Sequence, residues 1–141
     1  IQAISFDKMN QLRHVKFLQN KEHTLALMKE HARILKPKFG MVVSTLEREI
    51  APLGIATWHK PKGGYFVSVN TTPGLAKRTL ALCKEAGVVM TSAGATYPYG
   101  HDPADSNIRV APSLPPVEEL EQAMAVFCCC LKLAALEKSK K

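Results

Sequence analysis

At 141 residues, with 46% hydrophobic and 22% charged side chains, the chain is sized and composed for one globular domain with a real core. The longest apolar run, Ala123 to Leu131, is about half of what a bilayer span needs, which excludes a membrane-spanning segment. The formal charge of +7 admits an anionic partner, but the basic residues are scattered and form no long run.

Lys8 and Arg13 interrupt any apolar stretch near the start, so the opening residues do not read as a signal peptide. The four cysteines, Cys83 and the contiguous Cys128-Cys129-Cys130, include no C-x-x-C pair. Adjacent positions on a helix point about 100° apart, so the three neighbours cannot converge on a metal. They read as small buried apolar residues in a reducing compartment, which points to the cytoplasm.

In chain order, Asp7 to Leu18 reads as a helix capped by Ser5 or Asp7, with Met9, Leu12, Val15 and Phe17 as its apolar stripe. Leu25, Met28, Ala32, Leu35, Phe39, Val42, Leu46 and Ile50 recur at spacings of three or four. They predict one long amphipathic helix over about 21–50 that Pro37 should bend or split. Ile55–His59 and Tyr65–Asn70 read as strands joined by the turn Lys60-Pro61-Lys62-Gly63-Gly64. Thr72-Pro73 should start a helix running to Glu85 and closed by Gly87.

Val88 to Thr91 reads as a further short strand, and Ser92 to Asp105 as a Gly/Pro/Tyr-rich loop. A strand centred on Ile108-Arg109-Val110 follows. The last helix opens at Pro115-Pro116-Val117-Glu118-Glu119, and Lys138-Ser139-Lys140-Lys141 reads as a frayed tail. The result is an α+β fold, a small three- to four-stranded, mainly antiparallel sheet covered by helices, with a long N-terminal connecting helix and a long C-terminal helix. That last helix carries two adjacent apolar stripes, one through Leu120, Met124, Phe127 and Leu131, the other through Ala123, Val126, Cys130 and Leu133. It is expected to be covered on more than one side, by another domain or subunit.

Few residues suggest chemistry. The five histidines show no ligand spacing, and no metal site is expected. Lys62-Gly63-Gly64-Tyr65-Phe66-Val67 partly fits an RNA-recognition pattern, but Gly64 and Val69 stand where stacking rings are needed. Arg109 is the best single candidate for holding a ligand, because an arginine flanked by apolar residues is costly to bury unless a carboxylate or phosphate meets it. A solvated edge-strand arginine or a structural salt bridge is the plainer alternative.

The hairpin Lys60-Pro61-Lys62-Gly63-Gly64-Tyr65-Phe66, the loop Ala93-Gly94-Ala95-Thr96-Tyr97-Pro98-Tyr99-Gly100 and the strand Ser106-Asn107-Ile108-Arg109-Val110-Ala111-Pro112 occur in the order seen in one family. Together with Asp7-Lys8-Met9-Asn10-Gln11-Leu12-Arg13-His14 and Lys36-Pro37-Lys38-Phe39, they resemble the C-terminal small domain of fold-type I pyridoxal-phosphate aminotransferases. Within these, the MocR-type aspartate-aminotransferase-like family is the nearest likeness. The resemblance covers about Ser5 to Lys138.

It implies that Arg109 binds the substrate α-carboxylate, with Gly64, Gly94 and Tyr97 at the site border. Guanidinium is a rigid two-pronged donor suited to that group. It also implies that the lysine carrying pyridoxal phosphate, the acidic partner of the pyridine and the phosphate-binding residues lie elsewhere, in a large domain. No catalytic residue is therefore expected in this chain, and no cofactor bound to it alone.

On that reading residues 1–20 are a connecting segment from the large domain and 21–141 the small domain. The first residue, Ile1, fits an excised piece. The intact enzyme is expected to be a cytoplasmic homodimer exchanging an amino group between an amino acid, such as aspartate, and a 2-oxo acid, with no membrane association. The competing reading is a small basic α+β nucleic-acid-binding module, expected to bind oligonucleotides with steep salt dependence.

Overall fold

The computed structural model describes residues 6–140. They form helices α1 (Lys8–Leu18), α2 (Lys21–Glu49), α3 (Ala76–Glu85) and α4 (Val117–Ser139), with strands β1 (Ala56–Trp58), β2 (Val67–Thr71) and β3 (Asn107–Val110). Short 3-10 turns occupy Ala51–Leu53 and Pro98–Gly100. The chain divides into two compact units, with the boundary between Ile34 and Leu35, inside α2.

The first unit holds α1 and the first half of α2. Asp7 caps α1 by accepting the Asn10 amide at 3.1 Å, while Ser5 lies outside the described residues. Asn20 likewise accepts the His23 amide at 2.8 Å where α2 begins. The expected stripe of α1 is present, but Met9, Leu12, Val15 and Phe17 are all exposed, as are Leu25 and Met28 of α2.

In the second unit the same periodicity does bury its residues, with Val42, Leu46 and Ile50 fully enclosed. Pro37 does not split the helix, which is continuous through it. A proline deprives a helix of one amide donor and crowds one carbonyl, and Pro37 lies at an exposed position, where the freed carbonyl can meet water.

The sheet is antiparallel in the order β1-β2-β3. Register pairs Ala56 with Thr71 and Trp58 with Val69, then Val69 with Ile108 and Val67 with Val110. Strand side chains alternate, so these residues form one face, and it is the core face. It meets Leu120, Met124, Phe127 and Leu131 of α4, together with Leu82 and Cys83 of α3, in one hydrophobic cluster. The opposite face carries Thr57, Ser68, Asn70, Asn107 and Arg109, all polar.

Three local expectations change. Residues 88–91 form no strand, so the sheet has three members. The short run follows Gly87, whose φ of +86° ends α3, with Val88 N–H donating to the Cys83 carbonyl at 2.8 Å. Helix α3 begins at Ala76 rather than Thr72, because the Thr72 hydroxyl donates to the Ile55 carbonyl instead of capping. The cap comes from a distant loop: Asp105 takes the Lys77 amide on its Oδ1 (3.0 Å) and the Ala76 amide on its carbonyl (3.0 Å).

The expected tail over 138–141 is helical at Lys138 and Ser139, while Lys141 lies outside the described residues. Helix α4 runs to Ser139, and Lys138 donates to the Pro73 carbonyl. Arg78 grips Glu137 with two bonds of 2.7 and 2.8 Å, pinning α3 to α4. Lys132 bonds Glu49 at 2.7 Å, pinning α4 to α2. No described helix is long and apolar enough to cross a membrane.

Candidate functional site

Arg109 stands on β3 directly opposite Ser68 of β2, on the polar face of the sheet. Its guanidinium carbon lies 4.4 Å from the centre of the Phe66 ring. Its Nε is buried and has no hydrogen-bond partner, and among the described residues its side chain joins no ion pair. An arginine so placed has donors in reserve. Unpaired buried donors are costly, and an incoming carboxylate would satisfy them.

Asn107, two residues earlier on the same strand face, ties the site together. Its amide nitrogen donates to Ser68 Oγ (2.9 Å) and to Asn70 Oδ1 (2.7 Å), across to β2. Its Oδ1 accepts from the Thr96 hydroxyl at 2.7 Å. Only 7% of Asn107 is exposed, yet all three of these bonding positions are filled. The loop carrying Gly94 and Tyr97 is thereby docked onto the face that bears Arg109.

Asp102 holds that loop from inside. Its Oδ2 accepts the Ser106 and Asn107 amides at 2.8 Å each, and its Oδ1 accepts the Ala104 amide at 3.0 Å. These backbone donors, Asn107 first, keep the carboxyl below its ordinary range despite burial. Gly94 is buried with φ +81°, and the Tyr97 amide donates to its carbonyl at 2.9 Å. Tyr99 adopts φ +56° with its ring fully exposed, a costly conformation for a bulky residue.

Each residue expected at the site therefore has a definite place. Arg109, Gly94 and Tyr97 belong to one docked assembly of β3 and the preceding loop. Gly64 sits two residues before Phe66 with φ +88° and open space around it, so a left-handed turn rather than close packing calls for glycine there. Sequence reading overlooked Asn107, Thr96 and Asp102. The signal for Asn107 was the period-two spacing Asn107-x-Arg109, which puts both on one strand face.

A pocket of about 200 Å³ runs from Arg109, Val110 and Ala111 past residues 88–91 to Leu120 and Met124 of α4. A larger groove of about 620 Å³ between α2 and α4 includes Arg48, Glu49, Cys129 and Lys132. Its ion-paired cations, Arg48 and Lys132, share Glu49. Arg109 offers the unpaired cationic donor, and the groove does not. Among the described residues no group of three or more His, Cys, Asp or Glu is placed to hold a metal.

The aspartate amino-transferase family model matches residues 1–141. An aspartate aminotransferase of Corynebacterium glutamicum is 47% identical over 137 residues, covering 97% of this chain and 32% of that protein. A solved aspartate transaminase from the same species superposes with a TM-score of 0.90 at 46% identity, over 97% of this chain and 32% of the other. An α-aminoadipate aminotransferase of Thermus thermophilus, solved with N-(5'-phosphopyridoxyl)-L-leucine, shares the fold at TM-score 0.64 and 20% identity, over 74% of this chain and 26% of that one. The chain thus spans about a third of the length of the two Corynebacterium glutamicum proteins. The match along its whole length shows that the chain belongs to the aspartate aminotransferase family.

Proposed function

We propose that this chain is the small C-terminal domain of a pyridoxal-phosphate-dependent aminotransferase, and that Arg109 binds the α-carboxylate of its substrates. The observation that carries this is the buried, partnerless Nε of Arg109 on the polar face of the sheet. A bidentate acceptor such as a carboxylate fits it, because guanidinium donates two parallel N–H bonds along one edge. Family membership supplies the chemistry: amino-group exchange between an amino acid, with aspartate as the named substrate of the relatives, and a 2-oxo acid.

Pyridoxal phosphate supplies the electron sink for that exchange. The Thermus thermophilus fold neighbour carries a phosphopyridoxyl amino acid, in keeping with this cofactor. The lysine, acid and phosphate donors it needs are assigned to the large domain, and no lysine of this chain is given that role. Within this chain, Arg109 orients the substrate, and the loop bearing Gly94 and Tyr97 borders it, with the Gly64 turn at the edge.

On this reading residues 1–20 connect to the large domain and 21–141 form the small one, in a MocR-type enzyme that works as a cytoplasmic homodimer. The exposed apolar residues of α1 support a role for that segment in packing against another part of the protein. The nucleic-acid alternative is not favoured: family membership points elsewhere, and the Phe66 ring that would stack a base faces the Arg109 guanidinium.

The test is steady-state kinetics of the full-length enzyme. Arg109→Ala should mainly raise KM for amino acid and 2-oxo acid alike, costing about 2–5 kcal/mol, as for truncating one partner of a buried charge pair. Unchanged kinetics would remove Arg109 from the site.

A further inference from the structure

The carboxylate-binding role of Arg109 leaves open what holds its guanidinium in place before substrate arrives. A long arginine side chain on a strand samples many rotamers unless something fixes it. Among the described residues no carboxylate, carbonyl or hydroxyl does so, since the side chain makes no hydrogen bond or ion pair there. What lies against it is the ring of Phe66, 4.4 Å from the guanidinium carbon to the ring centre.

The sheet register explains the meeting. Ser68 is the direct partner of Arg109, and Phe66 lies two residues earlier on the same side of the chain, the diagonal position that an aromatic ring can span. The Gly63-Gly64 turn, with Gly64 at φ +88°, brings the chain into β2 just ahead of that ring. The contact also suits the task. A guanidinium donates its hydrogen bonds in its own plane, whereas a ring over its face attracts the cation and consumes none of those donors. A carboxylate in the position of Phe66 would instead pair with the donors and compete with substrate.

We infer that Phe66 is a positioning residue, which stacks on the Arg109 guanidinium and presents its free N–H edge to the incoming carboxylate. The inference rests on the carboxylate-binding reading of Arg109. With 45% of Phe66 exposed, the ring has room for a hydroxyl or a larger aromatic, so conservative variants are accommodated.

The experiment uses the full-length enzyme with Phe66→Leu, Phe66→Tyr, Arg109→Lys and the double variant Phe66→Leu/Arg109→Lys. Phe66→Leu should raise KM for both the amino acid and the 2-oxo acid by about 3- to 30-fold, the range of a cation–π contact. The kcat should stay within about threefold, the pattern of lost binding common to ground and transition states. Phe66→Tyr should restore KM. In the Arg109→Lys background the effect of Phe66→Leu should shrink, because the planar guanidinium edge that the ring positions is gone.

A Phe66→Leu enzyme with wild-type KM, or one whose defect persists undiminished in the Arg109→Lys background, would overturn the positioning role. A variant that lowers melting temperature and kcat together, with Phe66→Tyr failing to rescue, would equally reduce Phe66 to a structural residue. If Arg109→Lys itself leaves KM unchanged, the carboxylate reading fails first. If Arg109→Lys raises KM and Phe66→Leu does not, only the role of Phe66 falls.

Discussion

A Cβ on Gly94 would stand 2.1 Å from the carbonyl oxygen of Gly100, so the loop ahead of β3 closes on itself where only a hydrogen fits. Gly94 also has φ +81°, where an L side chain is strained. Gly94→Ala therefore carries both the left-handed penalty and an overlap with rigid backbone. It should cost about 2–4 kcal/mol, read as a lower urea midpoint with an unchanged slope. Because Thr96 of this loop bonds Asn107 beside Arg109, the substitution should also weaken substrate binding in the full-length enzyme. A variant as stable as the parent would mean that the 94–100 closure is not maintained in solution.

Asp102 predicts an acid-sensitive loop. Its carboxyl is held below the ordinary range chiefly by the Asn107 and then the Ser106 amides, against the opposing effect of burial. A group whose folded pKa is depressed contributes stability that is complete above its unfolded value of about 3.9, and loses it as pH falls through the lower folded value. Thermal melts should thus show a loss in that acid window that Asp102→Asn lacks. The variant should be less stable at neutral pH, because an amide nitrogen would confront one of the backbone donors. Parallel acid limbs for the two proteins would rule out Asp102 as the source.

Hydrophobic period carried the fold from sequence a long way. The spacing of Val42, Leu46 and Ile50 gave the buried edge of α2, and the alternation in Val67-Ser68-Val69 gave a strand with one polar face. Periodicity could not tell which apolar stripes find a partner, so Met9 and Leu12 read like Val42 yet lie exposed. The strand expected at 88–91 failed for a related reason: Val88 and Val89 suit a strand, but propensity alone makes no ladder, and the run forms none with the edge strand β3. At the site, Arg109 was legible because a cation among apolar residues is conspicuous. The supports it needs were not, since Thr96, Asp102 and Asn107 act through contacts that only the folded loop creates. The cap of α3 by Asp105 is non-local in the same way.

The cysteine cluster, expected to be uniformly buried, divides. Cys83, Cys128 and Cys130 are buried, while Cys129 is exposed, as the 100° step between adjacent helix positions requires. Burial, with the neighbouring Cys130 thiol adding to it, pushes Cys83 up to about 12. Burial likewise pushes Cys128 up to about 11, with Lys132 opposing. Thiolate is the reactive form, and at pH 8 a thiol of pKa about 12 is ionised to roughly one part in ten thousand. A disulfide reagent at pH 8 should label Cys129 rapidly and the other three only on denaturation, and Cys129→Ser should abolish the fast phase. Fast labelling of several thiols would show that α4 is less enclosed than its core contacts imply.

At Tyr99 a substitution should have the opposite sign. Its φ of +56° and ψ of +16° place a bulky residue in the left-handed region, while its ring is fully exposed and contributes no buried area in return. The backbone is fixed around it by the Gly100 amide donating to the Tyr97 carbonyl at 3.1 Å and the His101 amide to the Pro98 carbonyl at 3.3 Å. Replacing Tyr99 with glycine removes the Cβ clash, worth about 1–2 kcal/mol, and gives back part of it as extra freedom in the unfolded chain. Tyr99→Gly should therefore stabilise the protein by about 0.5–1 kcal/mol in a urea titration. Strain retained at an exposed position is characteristic of functional segments. The same variant should accordingly raise KM in the full-length enzyme while its melting temperature rises. Loss of stability would instead show that the Tyr99 ring packs against something that outweighs its backbone cost.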